Sequence, residues 1–139
     1  MVRRVSKERQ EIAEELTHFV KVLNDESSSG ALIVVEGQRD ASALAAIGFI
    51  GITYLLCHNG SLTQLSEEAK NHRKVILLLD FDHKGRVLTK KAASLLEEKG
   101  IRIDLFHRRR LKMASKGRVQ EVEELARYSD FLATSWPCR

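Results

Sequence analysis

Apolar residues along the chain follow two alternating patterns, one with helical spacing and one in short continuous runs. The first segment, residues 3–25, has helical spacing, with glutamate, lysine and arginine between the apolar positions. The positions that carry this spacing are Ile12, Leu16, Phe19, Val20 and Leu23. The pattern predicts an amphipathic N-terminal helix. The polar stretch at 24–30 is predicted to end it.

Four continuous apolar runs follow, and helical spacing returns between them. The predicted strands are 31–35, 52–56, 74–79 and 101–106, and the predicted helices between them are 39–47, 62–71 and 84–99. Runs rich in β-branched residues, without polar alternation, are typical of strands that are covered on both faces. Strands that alternate with helices through short connections predict an α/β fold with a parallel sheet and right-handed crossovers.

The alternation of strands and helices stops after residue 106. Residues 107–118 are predicted to form a basic loop, and a last helix is predicted from residue 119 to about 132. A chain of 139 residues fits one domain. We therefore expect a single domain over residues 1–139, with its core at about 31–106 and extra helices at the N- and C-terminal ends.

Composition and charge narrow the classes of function. The net charge of +4 and the sequence pI of about 9.2 favour a polyanionic partner. No apolar run approaches the roughly 20 residues that a membrane-spanning helix needs, so we expect no membrane partner. The charged start of the chain, with no apolar segment or cleavage site behind it, predicts a cytoplasmic protein. The two cysteines do not have the spacing of a disulfide framework or a zinc site.

Three carboxylates lie at or just beyond the ends of two predicted strands. Glu36 ends the first strand, Asp80 ends the third, and Asp82 lies two residues further on. Ligand sites of parallel sheets form outside the carboxyl ends of the strands, so these three side chains would share a crevice if the two strands are neighbours. Close carboxylates repel each other, and a hard divalent cation relieves that repulsion through oxygen ligands. The alternative is that all three are solvated loop residues or helix caps.

The residues around these carboxylates fit either interpretation. Gly37 and Gly85 follow the two strands, where glycine lets the backbone approach a ligand closely. Asp82 could instead cap the helix that begins near Lys84, and Asp40 could stabilise the dipole of the helix after Gly37. Lys84 could reach a phosphate or be a solvated residue of the first helical turn. Spacing alone leaves these alternatives open.

At these residues the chain resembles the Toprim family, which includes primases, topoisomerases and several nucleases. The two motifs that carry the resemblance, each after a predicted strand, are Glu36-Gly37-x-x-Asp40 and Asp80-x-Asp82-x-x-Gly85. The resemblance implies a Rossmann-like parallel sheet and a Mg²⁺ site, with Mn²⁺ as a second candidate ion. It assigns metal binding to Asp80 and Asp82, and it makes Glu36 a metal ligand or a general acid–base. It gives Asp40 a structural role, or a role beside the site.

Complete topoisomerase or primase activity does not fit this chain. Topoisomerases need a nucleophilic tyrosine on another domain, and here Tyr54 and Tyr128 suit packing positions in a predicted strand and the last helix. Primases need a zinc module and a further catalytic subdomain, for which there is no room. Short similarities point elsewhere in the family. His58-Asn59-Gly60 is similar to a turn of the ribonuclease that matures ribosomal RNA, and residues 115–125 are similar to archaeal primase-like Toprim proteins.

Between Asp104 and Glu121 lie six basic residues and no acidic one. The residues predicted to contact nucleic-acid phosphates near the carboxylates are Arg108, Arg109, Arg110, Lys112 and Lys84. Because few aromatic residues lie among them, we expect attraction to the backbone and no reading of bases. The alternative is a solvated surface loop, balanced by the glutamates at 121, 123 and 124.

Two functional hypotheses follow from the carboxylates and the basic segment. The first is a Mg²⁺-dependent nuclease that acts on RNA in preference to DNA, with Glu36 as the general base. The second is a non-catalytic RNA-binding module or adaptor in an RNA-processing assembly. A third, a small nucleotide-binding protein, lacks the glycine-rich phosphate loop that such proteins use.

Overall fold

A computed structural model describes residues 6–58 and 60–129. The helices are α1 (Lys7–Ser28), α2 (Gln38–Ala46), α3 (Leu62–Ala69), α4 (His83–Glu98) and α5 (Phe106–Ala114). The strands are β1 (Ala31–Val35), β2 (Thr53–Leu55), β3 (Lys74–Leu77) and β4 (Ile103–Asp104). A short 3-10 helix, Val122–Tyr128, follows α5. Within the described ranges, no helix combines the length and the apolar composition that crossing a membrane requires.

The four strands form one parallel sheet in the order β2-β1-β3-β4. The sheet confirms the predicted α/β class and the four-stranded parallel sheet flanked by helices. β1 and β3 are direct neighbours, with Ile33 opposite Ile76 and Val34 opposite Leu77. The condition for a shared crevice is therefore met, because the carboxyl ends of these two strands lie side by side at one edge of the sheet.

Each face of the sheet is covered by its own layer of helices. Side chains of β1 alternate between the faces: Ile33 and Val35 pack in the core with α1, α2 and α5, whereas Leu32 and Val34 pack with α3 and α4. All five residues of β1 and all four of β3 are buried. Burial on both faces explains why these strands are continuous apolar runs in the sequence.

The first helix is longer than the sequence indicated at its C-terminal end. α1 continues through the predicted polar break and ends at Ser28. The polar residues in its last turns have tertiary partners, since the Asn24 side chain donates to the carbonyl of Gly48 and accepts from the amide of Ile50. These contacts outweigh the weak helix propensity of the segment. Residues 3–5 of the predicted helix lie outside the described residues.

The predicted basic loop at 107–118 is wrong for most of its length, because α5 occupies Phe106–Ala114. The buried face of α5 consists of His107, Leu111 and Ala114, which have helical spacing but include one large apolar residue. So weak an amphipathic pattern does not stand out in a sequence. The segment gains its helical structure by packing on α1 and β3.

The remaining boundaries also differ. The fourth strand is only two residues long, so the predicted run 101–106 overstated it. The predicted last helix from residue 119 is a 3-10 helix that starts at Val122. Its predicted end at 130–132 and Asn59 of the predicted turn lie outside the described residues. We refer to residues 119–128 as the C-terminal segment.

Candidate metal centre

Both sequence motifs meet at the carboxyl edge of the sheet. Glu36 follows β1 directly, and Asp80 lies just beyond β3. The Glu36 side chain accepts a hydrogen bond from the backbone amide of Asp80, with Oε2 at 3.0 Å from the nitrogen. The structure thus brings these two predicted site residues together, and it does so through the ends of neighbouring strands.

Asp80 is partly buried and surrounded by negative charge. Burial is the main cause that raises the pKa of its carboxyl to about 7, and the negative charges of Asp40, Glu36 and Asp82 raise it as well. A hydrogen bond from the amide of Val122 acts in the opposite direction. Its Oδ1 lies 2.7 Å from the Val122 nitrogen. A carboxylate that is held among others in this way favours a proton or a cation beside it.

Asp82 caps α4, which is the role that the alternative interpretation assigned to it. Its Oδ1 accepts a hydrogen bond of 2.8 Å from the amide of Gly85, three residues on. Gly85 is required at this position, because a Cβ atom there would lie 2.0 Å from the carbonyl oxygen of Asp80. Phe81, between the two aspartates, is buried and donates its amide to the carbonyl of Gln120 at 2.7 Å. The turn that carries Asp80 and Asp82 is therefore held at several points.

Asp40 has a structural position at the start of α2. It is buried, and its Oδ2 accepts a hydrogen bond of 3.0 Å from the amide of Gly37. Burial raises the pKa of Asp40. Hydrogen bonds from the backbone amides of Gly37 and Glu123 favour the charged form and partly offset this increase. Gly37 itself is unconstrained by its neighbours, since a Cβ atom there would meet no atom within 4 Å.

The three predicted ligands do not converge on one point. A cleft of about 390 Å³ is lined by both Glu36 and Asp80, whereas Asp82 is not among its lining residues. Among the described residues, the only three metal-type ligands whose atoms all lie within 4.8 Å of one another belong to a different cluster. Each of Glu36, Asp80 and Asp82 directs one carboxylate oxygen at a different backbone amide.

The donor set still fits a hard divalent cation. In the described part of the chain, the second carboxylate oxygen of each of the three residues accepts no hydrogen bond from the protein. Three oxygens are thereby left for a cation, and Mg²⁺ needs only one or two carboxylates because it keeps several waters. The raised pKa of Asp80 provides the electrostatic reason for a cation at this place.

Two further acidic residues line the cleft, and neither was a predicted site residue. Glu121 and Glu123 of the C-terminal segment lie there with Glu36, Asp40 and Asp80. They lie in the stretch 115–125 that is similar to archaeal primase-like Toprim proteins, and their position at the cleft depends on the packing of the 3-10 helix on α2. That similarity is the signal in the sequence that could have directed attention to them. Glu123 lies 3.9 Å from the exposed guanidinium of Arg39, and the two form a surface ion pair. Glu123 is therefore not a counter-charge for the basic residues at 107–118.

The cluster with ligand atoms within 4.8 Å consists of Glu26, Asp104 and His107, and a lysine already lies in it. The ammonium group of Lys74 is 2.7 Å from the Glu26 carboxylate and 3.0 Å from that of Asp104. His107 Nε2 lies 2.9 Å from Glu26. Burial raises the pKa of Glu26, but hydrogen bonds from Lys74 and His107 outweigh it and bring the pKa to about 2. We interpret the cluster as an ion-pair network that joins α1, β3, β4 and α5.

The predicted nucleic-acid contacts divide into two groups. The guanidinium of Arg108 is partly buried and donates to the carbonyls of Leu79 and Asp80, at 2.9 and 2.6 Å. Within the described part of the chain, no salt bridge forms at the other four residues, Arg109, Arg110, Lys112 and Lys84. Arg108 is thus part of the framework of the crevice, while the others remain available to an external anion.

Comparisons with known proteins agree with this geometry. The family model described as the Toprim domain matches residues 31–107. The chain is 33% identical over 116 residues to a UPF0292 protein of Methanosarcina barkeri, covering 83% of this chain and 80% of that one. A UPF0292 protein of Thermococcus gammatolerans is 34% identical over 81% of this chain and 84% of its own. A solved structure of a protein from Aquifex aeolicus is similar in fold, with a TM-score of 0.69 and 29% identity over 78% of this chain and 96% of that one.

Proposed function

The chain belongs to the Toprim domain family, and from that premise we propose that it is a metal-dependent nuclease that acts on RNA. The observation that carries the proposal is the junction of the two acidic motifs, where the Glu36 carboxylate accepts the amide of Asp80 at the carboxyl edge of the sheet. Membership of the family gives the coarser statement, a metal-dependent function on nucleic acid. The cleavage of RNA is the finer part of the proposal.

Glu36, Asp80 and Asp82 would hold the ion, and Mg²⁺ is the first candidate because the donors are all hard oxygens. When bound, the ion would supply Lewis-acid stabilisation of charge on a phosphate and would orient a water. If Glu36 acts as the general base and not as a ligand, its carboxylate would take the proton at the oxygen that no amide occupies, and Asp80 and Asp82 would hold the ion. Mn²⁺, with similar ligand preferences, should substitute.

The basic residues support a polyanionic substrate. Arg108 places a guanidinium against the turn that carries Asp80. Lys84 is exposed in the first turn of α4, two residues after Asp82, and in this proposal it would contact a phosphate near the crevice. Cationic groups next to an acidic metal centre favour a ligand whose phosphates contact both the cations and the metal. The preference for RNA, and a place in an RNA-processing complex, are parts of the proposal that need direct measurement.

A second candidate is a non-catalytic RNA-binding module or adaptor. The specific observation that favours it is the position of Asp82, which caps α4 and does not line the cleft with Glu36 and Asp80. A site with two of the three carboxylates in the cleft can hold an ion beside bound RNA without cutting it. The two candidates differ in a single measurable property, cleavage.

The test is incubation of the pure protein with end-labelled structured RNA, single-stranded DNA and duplex DNA, in Mg²⁺, Mn²⁺ or EDTA. We expect RNA cleavage that needs the ion and is lost in Asp80→Asn and Asp82→Asn. Glu97→Gln, an exposed carboxylate on α4, is the matched control and should cleave normally. Cleavage that persists in both aspartate variants would rule out the proposed mechanism. Binding without cleavage by the unmodified protein would favour the adaptor.

A further inference from the structure

One face of α5 combines an exposed aromatic ring with free cationic groups. Phe106, Arg109, Arg110 and Met113 lie at positions i, i+3, i+4 and i+7, so they share one side of the helix. Phe106 is 55% exposed and Met113 is 76% exposed. The other described rings of phenylalanine and tyrosine are buried, namely those of Phe19, Phe49, Tyr54, Phe81 and Tyr128. An exposed aromatic ring of phenylalanine or tyrosine is therefore an exception among the described residues. We call these four residues the α5 face.

The cations on this face have no acidic partner within the described part of the chain. The Arg110 guanidinium lies 5.9 Å from the centre of the Phe106 ring, in a cation–π arrangement. Neither Arg109 nor Arg110 makes a salt bridge or a side-chain hydrogen bond to another described residue, in contrast to other basic residues of the same segment. Lys116 pairs with Glu11, and Arg118 pairs with Glu8 at 3.0 Å. The unpaired charges favour an anionic ligand.

A hydrogen bond fixes the backbone at the start of α5, and the Phe106 ring contacts the ring of a buried neighbour. Phe106 donates its amide to the Asp104 carboxylate at 2.8 Å, and its ring meets the His107 ring edge-on with centroids 5.9 Å apart. His107 is itself buried and bonded to Glu26. A ring that is ordered before binding loses little conformational entropy when a ligand stacks on it.

Another side of α5 contacts the turn that carries Asp80. Arg108, on the same helix, donates to the carbonyl of Asp80 at 2.6 Å. Asp104 is opposite Ile76 in the sheet, so Phe106 follows β4 at the same edge at which Asp80 follows β3. From the spacing of neighbouring strands, the Phe106 and Asp80 backbones are on the order of 10 Å apart. Because helical residues are about 100° apart, Arg108 lies roughly 150° around α5 from the α5 face, so a strand of nucleic acid that contacts both must run around the helix.

We propose that the α5 face binds an unpaired nucleotide, with the base stacked on Phe106 and the phosphates held by Arg109 and Arg110. The inference rests on the proposed function to the extent that nucleic acid is the ligand. Base-paired nucleic acid buries the faces of its bases within the stack, whereas single strands, loops and ends expose them to aromatic side chains. The substrate class is therefore single-stranded segments. The sequence predicted contact with the backbone alone, and the exposure of Phe106 adds contact with a base.

The test is fluorescence anisotropy with a labelled single-stranded RNA, the DNA of the same sequence, and the corresponding RNA duplex, all in EDTA so that no metal-dependent cleavage occurs. Phe106→Ala should weaken binding of the single strand about tenfold, which is the size of one stacking contact, and should change duplex binding less than twofold. Phe106→Trp should restore the single-strand affinity. Ile50→Ala removes an even more exposed apolar side chain elsewhere and should have no effect.

The outcomes separate this inference from the nuclease proposal. Binding that depends on Phe106 supports the inference even if no RNA is cut. Cleavage that depends on Asp80, together with unchanged single-strand affinity in Phe106→Ala, keeps the nuclease proposal and overturns the inference. An equal loss of single-strand and duplex affinity also overturns it, since stacking on one ring would then not be the cause. A Phe106→Ala protein that loses self-association in sedimentation, and binds RNA normally, would identify the face as a protein interface instead.

Discussion

The carboxylate of Asp80 accepts a hydrogen bond of 2.7 Å from the backbone amide of Val122, 42 residues further along the chain. Val122 lies beyond residues 31–107, the part that the family model matches. A second bond supports the first, from the amide of Phe81 to the carbonyl of Gln120 at 2.7 Å. The C-terminal segment therefore orients the central carboxylate of the candidate site, although it lies outside the residues that the family model matches.

Replacing Val122 by proline tests the contribution of this amide to metal binding. Val122 is the first residue of the 3-10 helix and follows Glu121 in extended backbone, at φ −116° and ψ 138°, which suits a residue before proline. We expect Val122→Pro to weaken Mn²⁺ binding about tenfold relative to Val122→Ala, because a hydrogen bond to a charged group contributes roughly 1.5–3 kcal/mol. Val122→Ala is the control, since it loses the same buried side chain but keeps the amide. Equal Mn²⁺ dissociation constants in calorimetry would contradict this role.

Replacing Asp80 by asparagine should have opposite effects on stability without and with metal. The folded pKa of about 7 exceeds the ordinary value of 3.8, so the metal-free protein loses stability as pH rises from about 4 to 7. Asparagine stays neutral and keeps an oxygen for the Val122 amide. At pH 8 in EDTA, Asp80→Asn should be more stable by roughly 2 kcal/mol, after allowance for solvent screening. Added Mg²⁺ should raise the melting temperature of the original protein only. A less stable variant at pH 8 in EDTA would refute the electrostatic argument.

The two motif glycines should respond very differently to alanine. At Gly85 a Cβ atom would lie 2.0 Å from the carbonyl oxygen of Asp80, so the turn or the start of α4 must move. We expect Gly85→Ala to lower the free energy of unfolding by at least about 2 kcal/mol, as forced overpacking does. Gly37→Ala meets nothing within 4 Å and has extended backbone at φ −151°, so its stability should change little. Urea denaturation compares the pair, and similar losses in both would contradict the steric explanation.

Acid should destabilise the protein through Glu26 at the ion-pair network. The folded pKa of Glu26, about 2, lies below the ordinary 4.5, so its contribution is full above about pH 4.5 and is lost as pH falls towards 2. Glu26→Gln should cost about 2 kcal/mol at pH 7 and should flatten the dependence of stability on pH between 5 and 3. Glu67→Gln breaks an exposed pair with Lys70 and should cost less than about 0.5 kcal/mol. Urea midpoints at several pH values provide the measurement. If stability falls equally between pH 5 and 3 in Glu26→Gln and in the original protein, the network is not the cause of the acid sensitivity.

Much of the fold follows from local patterns in the sequence. The strand predicted at 31–35 has the bounds of β1, because a strand covered on both faces is a continuous apolar run. The alternation of such runs with helical spacing predicts the parallel sheet. Glu36 and Asp80 could be found because ligand sites form at strand ends, and a strand end is a position in the sequence.

Tertiary structure alone decided which of these residues have partners. Nothing local marks the amide of Val122 as the donor to Asp80, or Lys74 as the cation between Glu26 and Asp104, because those groups come from separate elements. The same holds for α5, whose helix depends on packing against α1. Periodicity records which side of an element is apolar, whereas hydrogen bonds and ion pairs depend on distances across the folded chain. For that reason the sequence identified the carboxylates of the candidate site, and the structure identified the groups that hold them.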